Sequence, residues 1–215
     1  MTLLHKLFIN PHNISSDYTK RFCFLNNIRS KYLTIFLILI SAAFTFYDIS
    51  VLQYTHDKTV FLIHFKTDII FFVFSFIFTL YIYFNQVKSH KNILKHHKLV
   101  HGIIALFILT WSVIKSILLV KYNDGSYYLA AISILVCSIL YIFPIAVYIG
   151  QIIFTFLLAV VVSFLFNFTI DNVINDLAFI AIILFLSLII SRYLFYLHIK
   201  IMYKELEILK YKKKV

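Results

Sequence analysis

The chain has 215 residues, 62% of them hydrophobic and only 13% charged, with a mean hydropathy of +0.92. A soluble domain is about half apolar and a quarter charged, so this composition excludes a water-soluble globule and indicates an integral membrane protein. Lys and Arg outnumber Asp and Glu by 20 to 9, but the charge flanks apolar runs, so it reads as membrane orientation and lipid headgroup contact rather than nucleic-acid binding.

The first eight residues carry an apolar run too short for a signal peptide, with no small-residue cleavage site after it. Residues 1–31 therefore read as a basic N-terminal segment containing Lys6, Lys20, Arg21, Arg29 and Lys31. A helix needs about 20 apolar residues to cross a hydrocarbon core of about 30 Å. Six spans meet or approach this requirement. They are Tyr32–Tyr54, Val60–Phe84, Leu99–Val120, Tyr127–Phe143, Pro144–Phe166 and Leu177–Leu197. The fourth and fifth come from one run of about 60 Å if helical, and Pro144 marks where it must turn. The runs are continuously apolar, whereas barrel strands alternate, so a β-barrel is the poorer reading. The expected fold is all-α: a six-helix transmembrane bundle over 32–197 and a helical tail over 198–215.

Orientation follows the basic residues. Lys88, Lys91, Lys95 and Lys98 occupy the loop after span two, and Arg192, Lys200, Lys204, Lys210, Lys212, Lys213 and Lys214 occupy the end of span six and the tail. The opposite loops hold only Lys58 and Lys121, with Asp171 and Asp176. By the positive-inside rule both termini are cytoplasmic, and an even number of spans agrees.

Ionisable residues within spans are costly and point to function. Asp48 and Lys115 each lie about 24 Å from the cytoplasmic end of their helix, and Asp68 about 12 Å from the outer end of its own. With His64, Lys66 and Trp111 they define a polar layer in the outer third. It reads either as a sensing pocket (Asp48, His64, Asp68, Trp111, Lys115) or as an ion pair, such as Asp48 with Lys115, that only fixes packing. Outward snorkelling of Lys66 and Lys115 is a third option.

Chemical motifs are sparse. His97 and His101 share a helical spacing that could serve a metal, but no second histidine box or nearby carboxylate accompanies them, so no metal site is expected. His64 and His101 fall at opposite ends of their helices, a poor arrangement for haem. Cys23 and Cys137 sit in different environments, and no disulfide is expected. There is no Gly-x-Ser-x-Gly, no His-Glu-x-x-His, and no phosphate-binding glycine loop; the three glycines are Gly102, Gly125 and Gly150. No catalytic residue or cofactor is expected. Few small residues line the spans, which weakens a transporter reading.

No Pro or Gly stops the last span, so it can leave the membrane as one helix. Leu194, Leu197, Ile201 and Ile208 recur at heptad-like spacing, with Lys204 in the seam, and suit a homodimer. An amphipathic helix lying on the inner leaflet is the simpler alternative.

The chain resembles the six-helix N-terminal membrane module of bacterial diguanylate cyclases and related signalling receptors. The resemblance rests on the basic lead-in Asn26–Lys31, Asp48 near the end of span one, Trp111 in span three, Ser191-Arg192-Tyr193, and the charged helix Lys204–Glu207. It covers most of residues 22–210. The catalytic Gly-Gly-Asp-Glu-Phe motif of that family is missing from this sequence, so cyclase activity does not transfer. The resemblance implies a sensory or anchoring module of a bacterial inner (cytoplasmic) membrane that signals through its last helix. It would be a lone module, a truncated product or half of a split system, with the lipid bilayer, a second copy and a cytoplasmic signalling protein as partners. The alternative is a small transporter or channel subunit using the buried charges.

Overall fold

A computed structural model describes residues 16–51, 58–85, 95–123, 127–166 and 170–212. Among them the chain is all-α, with α1 (Ser16–Val51), α2 (Lys58–Phe84), α3 (Lys95–Asn123), α4 (Tyr128–Leu140), α5 (Ile145–Leu165) and α6 (Ile170–Lys212). Tyr54, Lys6, Lys88, Lys91, Gly125, Lys213 and Lys214, which entered the sequence reading, lie outside the described residues. Five helices contain stretches long and apolar enough to cross a membrane, namely Lys20–Ser50, Leu62–Phe84, Leu99–Lys121, Ile145–Leu165 and Leu177–Glu205.

The molecule is turned inside out relative to a soluble protein. Ser30, His64, Asp68 and Lys115 have no exposed surface, while Phe46, Phe84 and Leu165 are more than 70% exposed. Such a distribution is stable only when the surrounding solvent is hydrocarbon. Several buried or partly buried hydroxyls bond within their own helices: Ser41 donates to Ile38 O, Thr45 to Ser41 O, Thr79 to Ser75 O and Thr155 to Gln151 O.

The helix that carries the first span is already formed from Ser16 onward. No Gly or Pro interrupts that stretch, and Phe22 and Leu25 pack on Phe195, Ile199 and Met202 of α6. The fourth span is not a full-length helix. α4 has 13 residues, about 20 Å, and Tyr141–Pro144 continues without helical structure. Pro144 has no N–H and disfavours helical geometry at Phe143. Side chains from α1 and α6 take up the carbonyls that a helix would have used, as described below.

α3 is central: 61% of its most apolar window is buried, against 22–28% in the other four long helices. α3, α4, α6 and α5 form a ring, each packed on the next, and α1 and α2 pair closely and lie against α3. α3 and α5 run parallel. Gln151 approaches Gly102 O near their N-termini, and Lys121 donates to Phe166 O at the opposite ends. Ser116 of α3 also accepts from Ala130 N, one of the free N–H groups that begin α4.

Candidate functional site

The most unusual chemistry lies where α1, α2 and α3 meet. Along α2 the buried positions His64, Asp68, Phe71 and Ser75 recur every three or four residues and so share one face. The same spacing on α3 aligns Ile104, Ile108, Trp111 and Lys115, and on α1 it aligns Ser41 with Asp48. The three faces bring Lys115 Nζ to 3.0 Å from Asp48 Oδ2 and 2.7 Å from Asp68 Oδ2. All three side chains are at most 1% exposed. Lys115 is therefore a bridge between two helices and does not snorkel outward. Lys66, by contrast, is exposed.

The charge count of this triad is uneven. Two carboxylates share one ammonium, and Asp48 Oδ1 and Asp68 Oδ1 remain buried without a hydrogen-bond partner. Electroneutrality requires one proton or one further cation. A buried pair gives little net stability, because desolvation offsets most of the attraction, yet removing one partner is costly.

Aromatic rings close the triad off on one side. Trp111 stacks on Phe71 at 4.0 Å with the planes 13° apart, and Phe44 meets Trp111 edge-on at 5.6 Å. Lys115 Nζ lies 5.4 Å above the Phe44 ring, and Phe107 stacks on the far side of the same cluster against Phe71. These rings keep the charges in a low-dielectric setting. His64 is fully buried one turn before Asp68 on α2.

A second polar cluster occupies the Tyr141 end of the bundle. Asn26 pairs with the backbone of Ile142 twice, donating from Nδ2 to its carbonyl and accepting its N–H at Oδ1, each at 3.0 Å. Arg29 donates to Leu140 O at 3.0 Å and Arg192 to Phe143 O at 2.8 Å. The two guanidiniums thus serve carbonyls at and just beyond the C-terminus of α4, where the helix dipole favours cations. Ser30 links His101 Nδ1 (3.1 Å) and Tyr141 Oη (3.0 Å). Irregular backbone at membrane depth is tolerable only when its polar groups are met in this way.

Asp48, His64, Asp68, Trp111 and Lys115 are all buried at the α1–α2–α3 junction. The four tail residues are spread differently: Leu194 and Leu197 are half-buried, while Ile201 and Ile208 are 55% and 54% exposed. α6 meets α1 through another face, with Phe195 against Phe22 at 5.1 Å and Glu205 3.8 Å from Arg21. Arg29 also lies 3.1 Å from His198 Nε2. Both cysteines are buried and neither forms a disulfide, and no cluster able to hold a metal ion occurs among the described residues.

Comparison with protein-family models, curated proteins and solved structures found no match.

The sequence reading missed the cluster at the Tyr141 end. In the sequence Arg192 reads as an orientation charge and as part of the Ser191-Arg192-Tyr193 motif, and Asn26 as part of a basic lead-in. A usable signal existed in the four-residue spacing of Asn26, Ser30 and Thr34, which puts three polar residues on one face of an otherwise apolar helix.

Proposed function

We propose that this chain is a membrane-embedded sensory module that converts occupancy of the Asp48–Lys115–Asp68 site into movement of α6. The carrying observation is the reach of α1. Its 36 residues, about 54 Å as a helix, place Asp48 in the buried triad and Phe22, Arg21 and Arg29 against α6. A ligand that changes how Lys115 shares its protons between the two carboxylates changes what holds α1 to α2 and α3. The unpartnered oxygens Asp48 Oδ1 and Asp68 Oδ1 suit a cationic ligand or a proton. α6 has 43 residues, about 64 Å, and extends well past the length a bilayer requires.

In this reading the protein crosses the membrane six times. α4 adds about 20 Å and the four residues Tyr141–Pro144 about 13 Å when extended, together matching a core of about 30 Å. Both termini face the cytoplasm of a bacterial cell, and α6 pairs with a second copy through Ile201 and Ile208. The resemblance to the membrane modules of diguanylate cyclases agrees with this role, the output being a cytoplasmic signalling protein.

The test combines cross-linking with flux. Ile201→Cys and Ile208→Cys are expected to cross-link between copies in membranes, and Asp48→Asn is expected to alter the yield. Absence of cross-links at both positions refutes the dimeric output helix. The uneven triad also favours a second reading, a cation-coupled transporter. Solute flux in liposomes that Asp48→Asn abolishes would establish it in place of the sensor.

A further inference from the structure

The triad is one positive charge short of neutral, and its geometry narrows what can supply that charge. Asp48 and Asp68 each turn Oδ2 toward Lys115 Nζ, at 3.0 and 2.7 Å. Those two oxygens therefore stand within about 6 Å of each other, where two carboxylates in a low-dielectric site do not both stay ionised. Their other oxygens, Asp48 Oδ1 and Asp68 Oδ1, are buried with no hydrogen-bond partner. An ionised carboxylate can only accept, so a bare oxygen at this depth is costly. Protonating one acid relieves both problems, because its charge is removed and it gains a donor. A receiver for that donor is at hand, since Asp48 lies within side-chain hydrogen-bonding reach of Asp68.

Other cations fit less well. A hard divalent ion needs six or more oxygen ligands, and two of the four carboxylate oxygens here already serve Lys115. No group of three or more His, Cys, Asp or Glu able to hold a metal occurs among the described residues. An organic cation would need an open face, and all three side chains are at most 1% exposed. The charges acting on Asp68 are those of Lys115 and Asp48. His64, on the same face of α2, lies within electrostatic reach of Lys115 and Asp48, and an imidazolium there would sit beside the Lys115 ammonium. Tyr47 and Lys66 are exposed.

We propose that the triad binds a single proton, held jointly by Asp48 of α1 and Asp68 of α2. This deepens the sensory reading of the same site and rests on that reading for its effect on α6, whereas the proton itself follows from the charge count. Binding forms one carboxyl O–H bond as one O–H bond of the delivering hydronium breaks. Release reverses this and leaves a net negative charge between α1 and α2, where carboxylate repulsion opposes their contact. The two acids titrate as a pair and not as separate sites.

Infrared spectroscopy of the full chain in liposomes tests this through the C=O stretch of protonated carboxyls, with difference spectra against variants isolating the triad from the other acids. At neutral pH the triad should contribute one protonated carboxyl per chain, and His64→Gln should keep it. Asp48→Asn and Asp68→Asn should each abolish it, because either leaves one acid paired with one amine. Lys115→Met should double it; if that variant fails to fold, the two Asn variants carry the comparison. Raising the pH should remove the band and shift Trp111 emission in the same transition. Absence of the band from the unaltered protein at neutral pH overturns the proposal, whether the proton then sits on His64 or sodium or potassium chloride shifts Trp111 emission at constant pH. A band that either Asn variant retains also overturns it, since the proton would then belong to one acid regardless of its partner. The sensory reading fails separately: cross-linking at Ile201→Cys and Ile208→Cys that ignores pH while the band titrates refutes coupling to α6 and upholds the proton.

Discussion

Removing the Lys115 amine should damage the fold far more than removing either carboxylate. In Lys115→Met two buried carboxylates face each other with no counter-ion, and breaking a buried pair in this way costs about 3–5 kcal/mol. That shifts the unfolding equilibrium by between two and four powers of ten. In Asp48→Asn the amine keeps Asp68 at 2.7 Å, a one-to-one pair survives, and close carboxylate repulsion disappears. The expected cost is about 1 kcal/mol, one hydrogen bond weakened from charged to neutral. The triple variant Asp48→Asn, Asp68→Asn, Lys115→Met removes all three charges and should return most of the stability lost in Lys115→Met, because the single effects are coupled. The chain offers its own probe. Trp111 is the one tryptophan in the sequence and stacks on Phe71 one turn from Lys115. Its fluorescence during sodium dodecyl sulfate titration from mixed micelles reports unfolding of this layer directly. If Lys115→Met unfolds no earlier than Asp48→Asn, the amine is not the counter-ion of the pair and the charge argument fails.

Three further outcomes follow from the packing. Asn26→Ala leaves the N–H and carbonyl of Ile142 without their partners, at about 1–3 kcal/mol for each group; the same titration should show the loss, with Asn26→Asp intermediate because it keeps the acceptor. Phe71→Ala removes a fully buried ring, which costs about 3–5 kcal/mol, and should change the emission maximum of Trp111 in the folded protein. Cys23 and Cys137 are each 4% exposed and should resist a membrane-permeant maleimide until the protein is unfolded; rapid modification at either, read by mass, would place that residue at the surface.

The sequence by itself determined the class of the molecule and most of its elements. Residues such as those from Ile69 to Leu80, or from Ile182 to Ile190, have no stable home in water, and in lipid a backbone must satisfy its own hydrogen bonds, so long helices are the local consequence. Depth was legible for the same reason. Counting residues from the end of each span put Asp48, Asp68 and Lys115 close to one level, because the rise of a helix is fixed. What no count could supply was the rotation of each helix about its axis and the neighbour it faces. Only the assembled bundle decided that Lys115 bridges both acids, where the sequence offered a sensing pocket, a single ion pair or an outward-pointing amine. The break after Leu140 belongs to the same category. Pro144 announced a turn, but the early end of α4 depends on Asn26, Arg29 and Arg192, which come from helices distant in sequence and meet its carbonyls only in three dimensions. Span length and depth are properties of one helix at a time, whereas the partners of a buried charge or a freed carbonyl are set by how several helices pack together.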